Sequence, residues 1–494
     1  MNIYRSMLVL FVLVAGLNSV WGQDASNPQS SAAPQTEPSQ PPVPAYGPDS
    51  PAPTINDNPP ISGIDMPNLQ PHAAPLSYLQ AGAHVSESVD SNVENNLGGS
   101  QVSSITDALG SLELQRLWSN YDLSLDYLGG IGYYSVGEVG LRQIEELGVN
   151  QKITWKRGEL GIRDAFSYQP EGTFGGAYGS VGTEGAALGG QSAFFGGNAL
   201  GALGQVPRIM NLTLVDVVEN LTPKSSVTVT GGYGFVHFLD NEPDAGNAFI
   251  GNTQITGEVG YDRVLGPHDQ GALVYGYQGF KFSTQIDFHS HVIQLMWGHR
   301  ISGRMDFVIG AGPQFTELDL NGSNDLRITV AGRASLRYQF PKTSLDLSYD
   351  HYITNGAGFF SGAESDVARL TATRPMGRVW TAFADFGYSR NTRFIPETAL
   401  QIAICTPTAT NPNPGSLNPA ECPGTIANTY DYGFAGAGVR RNLGRHFKVY
   451  ASYQFNELSF DTSFCGSTGP CSRISQRNVG TIGLDWIPRP IRLD

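Results

Sequence analysis

Residues 325–353 read D-L-R-I-T-V-A-G-R-A-S-L-R-Y-Q-F-P-K-T-S-L-D-L-S-Y-D-H-Y-I. Ahead of the turn at Phe340-Pro341-Lys342, Ile328, Val330, Leu336 and Tyr338 share one parity. Arg327, Thr329, Arg333, Ser335, Arg337 and Gln339 share the other. Beyond the turn, Leu345, Leu347, Tyr349, His351 and Ile353 alternate with Ser344, Asp346, Ser348 and Asp350. A period of two sends successive side chains to opposite faces of a sheet. One face is therefore apolar and the other polar, over a length that spans a bilayer. A transmembrane β-barrel strand needs that pattern, with lipid on one face and the lumen on the other.

The alternation recurs. Leu123, Leu125 and Tyr127 alternate with Asp122, Ser124 and Asp126, and Val227, Val229, Tyr233 and Phe235 alternate with Ser226, Thr228 and Thr230. Ile293, Leu295 and Trp297 share a parity, as do Tyr430, Tyr432 and Phe434, and Ile482, Leu484 and Trp486. Short basic turns punctuate the strands at Thr222-Pro223-Lys224, Gly266-Pro267-His268, Ser302-Gly303-Arg304, Phe340-Pro341-Lys342, Met376-Gly377-Arg378 and Leu443-Gly444-Arg445. Pro presets φ and Gly permits positive φ, so each triplet reverses the chain tightly. Most intervals are about 36 residues, which is two strands of roughly 9–11 membrane-embedded residues with extensions, plus one loop. Variable connections fall between these turns, near 170–206, 239–249, 319–324, 355–363, 392–427 and 461–472. Short turns on one side and long loops on the other put both ends of the barrel in the periplasm of a Gram-negative cell.

The predicted fold is therefore all-β: a transmembrane antiparallel up-and-down β-barrel of about 18 strands over residues 76–487, with 16 as the alternative count. Residues 1–22 read as a signal peptide, with Arg5, an apolar run from Leu8 to Leu17, and small residues near Gly22. Residues 23–75, rich in Pro, Ser, Ala, Gln and Asn, read as a disordered periplasmic tether, and 488–494 as a C-terminal tail. Charged residues are 15% of the 494, Gly numbers 60, and the formal net charge is −14, a balance that disfavours a nucleic-acid partner. Cys405 and Cys422 bracket one loop, Cys465 and Cys471 another. Export favours disulfides; proximity favours 405–422 with 465–471 among the possible pairings. Neither pair has zinc-like spacing or a companion His, so no metal is assigned.

The pieces L-T-P-K-S-S-V-T-V-T-G-G-Y, F-P-K-T-S-L-D-L-S-Y and S-H-V-I-Q-L-M-W-G-H-R-I-S-G-R resemble the repeated hairpins of an outer-membrane β-barrel porin group that includes barrels associated with exopolysaccharide export. The stretch at 81–92, A-G-A-H-V-S-E-S-V-D-S-N, resembles their opening strand. The resemblance implies an outer-membrane barrel without catalytic residues. It also implies a terminal aromatic read by the barrel-insertion machinery, yet here Trp486 is followed by I-P-R-P-I-R-L-D, which moves that signal inside the chain.

The candidate functional residues are luminal charges: Arg327, Arg333 and Arg337 on one strand, Asp346 and Asp350 on the next, and Arg369 on the strand after. Opposite charges on neighbouring strands set a transverse field across a pore, or lock the wall as a ladder of ion pairs. Asp287, His289 and His291 share a parity with Ile293, Leu295 and Trp297, which reads as an interfacial outer surface instead of a metal or catalytic site. No nucleophile motif, nucleotide loop or cofactor signature is present, so no enzyme is expected. The Gly-rich loop 170–206 is read either as a pore constriction or as an outer lid. The functional expectation is a porin-like channel for passage or export of polar solutes, saccharides among them. The alternative is a structural or accessory component of an exopolysaccharide export system with a closed pore. A barrel-embedded hydrolase ranks last. Outer-membrane lipid and the insertion machinery are the expected partners; the sequence shows no oligomer contact.

Overall fold

The computed structural model describes residues 60–62, 77–93, 97–136, 140–169, 206–239, 249–283, 287–320, 323–340, 342–394, 427–462 and 472–493. Residues 1–22, expected as a signal peptide, most of 23–75, loop 170–206 except its last residue, and the four cysteines lie outside them. The described residues all fall within one unit, Ile55–Asp494.

Eighteen strands follow one another around one sheet. The first six are β1 (Tyr78–Asp90), β2 (Ser103–Leu117), β3 (Tyr121–Tyr134), β4 (Leu141–Trp155), β5 (Gly158–Gln169) and β6 (Arg208–Thr222). Next come β7 (Ser225–Phe238), β8 (Asn252–Val264), β9 (Asp269–Phe282), β10 (Asp287–Ser302), β11 (Met305–Leu320) and β12 (Ser323–Gln339). The last six are β13 (Ser344–Thr354), β14 (Ala363–Met376), β15 (Trp380–Arg393), β16 (Thr429–Leu443), β17 (Phe447–Phe460) and β18 (Ile474–Trp486). Each pairs antiparallel with its successor, and β18 pairs with β1 from Ala83↔Trp486 to Asp90↔Val479. The ring is closed, so no strand edge faces hydrocarbon. After Trp486 the two prolines of I-P-R-P interrupt pairing, and a two-residue β19 (Ile491–Arg492) then re-pairs with Leu79 and Tyr78.

The basic triplets all lie at even-to-odd junctions, on one rim. Gly377 and Gly444 adopt φ of 74° and 75° there, the left-handed region that Gly enters without Cβ strain. The opposite rim carries the longer connections, with two corrections. The connection expected at 319–324 is largely strand, since β11 runs to Leu320 and β12 begins at Ser323. Likewise β4, which the alternation in the sequence suggests only over 147–156, starts at Leu141. Where strands project past the lipid, neither face needs to be apolar, so polarity is no sign that pairing stops there. Within β10 and β11 the ladder skips Ile293 and Gln294 opposite Gly312 and Pro313. Pro313 has no N–H to donate, and a Cβ on Gly312 would lie 1.7 Å from the Ile293 carbonyl oxygen.

The outer face follows the parity reading on most strands, but on β16 the order is reversed, with Tyr430, Tyr432 and Phe434 buried on the inward face. Leu295, Ile328, Val330, Leu347, Tyr349, Ile482 and Leu484 are all exposed, up to 70% for Leu295. A closed barrel that exposes its aliphatic side chains around the ring is a membrane-spanning one. Trp118, Trp155, Trp297, Phe340, Trp380, Phe447 and Trp486 form an exposed aromatic girdle near the short-turn rim. Further up, outward tyrosines bond to a polar side chain on the next strand: Tyr127 to Glu145, Tyr349 to Asp366, Tyr388 to Asp431 and Tyr453 to Asn478. Aromatic bodies with polar tips suit the edge of an apolar band. His289 and His291 belong to this outer surface, bonded to Tyr277 and Tyr275 at 2.9 and 2.8 Å.

Candidate functional site

The inward parity is polar over most of the wall. Ser226, Thr228 and Thr230 on β7, Gln254, Thr256 and Glu258 on β8, Ser290 and Gln294 on β10, and Gln314 and Thr316 on β11 all point inside. These side chains are buried, yet Gln254 Nε2 and Oε1, Thr256 Oγ1 and Gln314 Oε1 find no hydrogen-bond partner among the described residues, a cost that a dry centre would retain and water in the lumen would relieve.

All six luminal charges expected from the sequence lie on the inward parity. Register places Arg333 opposite Asp350 and Arg337 opposite Asp346, with Arg337 Nε 3.8 Å from Asp346 Oδ1. Arg369 stands opposite Ser348 on the same face, but its carboxylate partner is on the far side. Its Nε and Nη2 donate to both oxygens of Asp385 on β15, at 3.1 and 2.7 Å. Arg333 also comes within 3.9 Å of Glu258 on β8. Arg327, closer to the long-loop rim, donates to the Phe394 carbonyl at 2.9 Å, lies over the Phe394 ring, and is 3.5 Å from Glu364. The charges thus form one ladder from β8 to β15. Asp385, Glu258 and Glu364 were the members missed from sequence. The inward parity of A-F-A-D-F-G signals Asp385, whereas no local pattern marks Glu258, which lies four strands from Arg333 in the ring.

The long-loop rim holds a second feature. Pairing of β12 with β13 stops at Gly332↔His351, while β13 and β14 stay paired to Thr354↔Ala363. The sheet therefore splits, and the tip of the β13–β14 hairpin turns inward. Ile353, expected on the lipid face by alternation, is instead fully buried against Phe280, Phe282, Phe288, Leu318 and Phe394. Those partners sit on the inward parity of β9 to β11 or just past β15, so the tip packs on the inner wall.

From that tip a chain of rings crosses the mouth. Phe238 at the end of β7 contacts Phe249 at 5.4 Å, Phe249 contacts Phe359 at 5.9 Å, and Phe359 contacts Tyr430 on β16 and Phe460 on β17 at 5.0 and 5.5 Å. These centroid separations are those of favourable edge and tilted aromatic pairs. β7 and β16 stand nine strands apart in either direction around the eighteen, so the rings bridge opposite walls. Phe360, Ala357, Ala363, Val206, Val236 and Leu458 thicken the bridge into one apolar septum.

The septum loop is held by its backbone. The Asn355 side chain accepts from Ala357 N at 3.0 Å, Gly358 O accepts from Ile250 N at 2.8 Å, and Gly362 O accepts from Phe394 N at 3.2 Å. Gly356, Gly358 and Gly362 all have positive φ, and a Cβ on Gly362 would strike the Phe288 ring at 2.5 Å. Sequence reading placed a loop at 355–363 without its role. The signal was there in G-A-G-F-F-S-G, two adjacent aromatics in a glycine-rich connection with no lipid face to serve.

No family model matches this sequence, and no curated protein matches it. Solved structures with a similar course of chain include OccK2 (OpdF) of Pseudomonas aeruginosa, at 8% identity over 83% of this chain and 98% of that one, with a TM-score of 0.40. OprD of the same organism follows at 8% identity, 84% and 97% coverage, and a TM-score of 0.36. A bacterial polysaccharide outer-membrane secretin is similar at 8% identity, 83% and 98% coverage, and a TM-score of 0.29. Likeness this loose carries no functional inference, and the site stands on its own side chains.

Proposed function

We propose that the chain is an outer-membrane channel for polar solutes that rests closed, with the aromatic septum as its closure. The observation that carries this reading is the pairing of a polar inner wall with a single apolar bridge at one rim. A wall built only to pack a solid core would have no use for the inward Ser, Thr, Gln and charged residues of β7 to β15. The charge ladder is proposed to set ion preference, since its rungs line the aqueous path with both signs. Saccharides are the favoured solute class. Against the septum, Tyr430, Tyr432 and Phe434 form a buried row of inward rings beside Gln454 and Asn456, with Tyr432 bonded to Asn456 at 3.0 Å, and opening the septum would uncover it. Sugar rings offer apolar C–H faces for stacking and hydroxyls for amide side chains, which this row matches. Lipid of the outer membrane surrounds the apolar band, with the short-turn rim and both ends of the barrel in the periplasm.

A second reading is favoured by the septum itself: an accessory barrel of an exopolysaccharide export system that never opens alone. Proteoliposome swelling separates the two. With the Phe359→Ser variant, the channel reading expects swelling in isosmotic di- and trisaccharide at a rate at least tenfold above protein-free vesicles. Absence of swelling in correctly folded Phe359→Ser protein discards the channel.

A further inference from the structure

A short piece of the chain ahead of the barrel, Pro60-Ile61-Ser62, lies against the inner wall near the short-turn rim. Ile61 is 1% exposed and packs with Ala272 and Val274 of β9, Met296 of β10 and Val308 of β11. These four share the inward parity, and they form an apolar notch in a wall that is otherwise polar. Beside the notch, Asp262 on β8 receives two successive backbone donors, Ile61 N at 2.8 Å and Ser62 N at 2.9 Å. The Ser62 hydroxyl also donates to Asp262 Oδ2 and is 2.5 Å from the Thr228 hydroxyl on β7.

The wall is shaped for this segment. A Cβ on Gly260 would lie 2.3 Å from Ser62 Cβ, and one on Gly298 would lie 3.2 Å from Ile61 Cγ2. Among the described residues, the hydrogen bonds to the Asp262 carboxylate all come from Ile61 and Ser62. A carboxylate 1% exposed needs such donors, because burying an unpaired charge costs several kcal/mol on the order of that for any ion leaving water. Three features of the wall thus converge on one tripeptide: an apolar notch, a carboxylate that reads two adjacent amides and a hydroxyl, and two glycines that give clearance.

We propose that this part of the wall is a receptor for the chain's own N-terminal arm, recognising an apolar residue followed by serine. Seated there, the arm covers the notch and narrows the lumen near the short-turn rim without closing it, leaving the septum at the far rim as the closure. The recognition chemistry is that of a peptide, supplied in cis. The narrowing rests on the channel reading, whereas the docking does not.

Two measurements on the full-length protein in detergent test the docking and its consequence separately. Hydrogen exchange at the Ile61 and Ser62 amides is expected to be at least tenfold slower in the wild type than in Asp262→Asn, with heat-modifiable migration of the barrel unchanged. An Ala272→Cys substitution, read by peptide mapping after a polar maleimide, is expected to label at least tenfold faster when combined with Ile61→Asp. Ile61 lies outside the barrel strands, so that variant leaves sheet pairing intact. Equal exchange in wild type and Asp262→Asn overturns the receptor. Exchange that differs while position 272 labels equally fast with and without Ile61→Asp overturns the covering of the lumen. If both effects appear but the Phe359→Ser protein still passes no solute, the docking stands and the channel reading falls.

Discussion

Asp90 and Arg477, separated by nearly the whole barrel in sequence, meet inside the seam where the last strand joins the first. Arg477 Nε donates to Asp90 Oδ2 at 2.5 Å, and both residues are almost fully buried. Around them His84 bonds Asp485 at 3.1 Å and Ser111 at 2.8 Å, and Ser88 bonds Thr481 at 2.9 Å. The seam is thus fastened by polar contacts on the luminal side in addition to the strand ladder. Because closure is the last pairing available to an up-and-down chain, these contacts report whether the ring is complete.

Removing one partner leaves the other buried and charged, which costs about 3–5 kcal/mol. Asp90→Ala is expected to lower the unfolding free energy, read by urea titration in vesicles, by an amount in that range. The double variant Asp90→Leu with Arg477→Met recovers most of the loss. A single variant as stable as wild type would show that the pair does not hold the seam.

The charge ladder gives a separate expectation. Replacing Arg333 and Arg337 with Ser in the Phe359→Ser background removes two cations beside Asp346, Asp350 and Glu258. Reversal potentials in a salt gradient are expected to shift toward cation preference. Unchanged selectivity in a conducting protein would reduce the ladder to a wall brace. Arg369→Lys tests the brace directly, since a lysine cannot hold both oxygens of Asp385 in a fork, and a loss of about 1 kcal/mol in stability is expected.

On the outside, Leu295 is 70% exposed in the same outward row as Ile293 and Trp297. Leu295→Arg places a cation in the apolar band at a cost of about 2–4 kcal/mol if the site is near the bilayer midplane. The cost is expected in vesicles and is expected to vanish in urea-free detergent, where the head group reaches water. An equal effect in both media would place Leu295 outside the lipid.

The hairpin tip is built with strain that substitution can release or raise. Ala357 has φ of 50°, the one positive value outside glycine among the described residues. Ala357→Gly is expected to stabilise the septum by about 1 kcal/mol. Gly362→Ala is expected to loosen it, since its φ of 92° and the Phe288 ring both oppose a side chain. Hydrogen exchange at Ile250, whose amide bonds Gly358, reads both: slower in the first, faster in the second.

Much of this architecture could be read before any coordinates. The alternation of Leu347 and Tyr349 with Asp346 and Ser348 survives in the barrel because every strand in lipid must keep one oily face. For the same reason Arg369 could be assigned to the lumen by counting residues alone. Ile353 shows where that logic stops. Beyond the lipid the hairpin is free to leave its neighbour β12, and parity no longer tells outside from inside. Partners such as Glu258 for Arg333 depend on the curvature of the sheet, which no local pattern encodes. Ile61 was hidden for a simpler reason: one aliphatic residue in a Pro- and Ser-rich tract has no periodicity to betray a docking site on strands two hundred residues away.

The central claim is a polar lumen closed by rings that span it from β7 to β16. Planar-bilayer recording of wild type beside a Phe359→Ser, Tyr430→Ser double variant tests it most directly. The wild type is expected to show brief, rare openings, and the double variant to spend at least tenfold more time open. A wild type that stands steadily open, or a folded double variant that stays as silent as the wild type, would contradict the account.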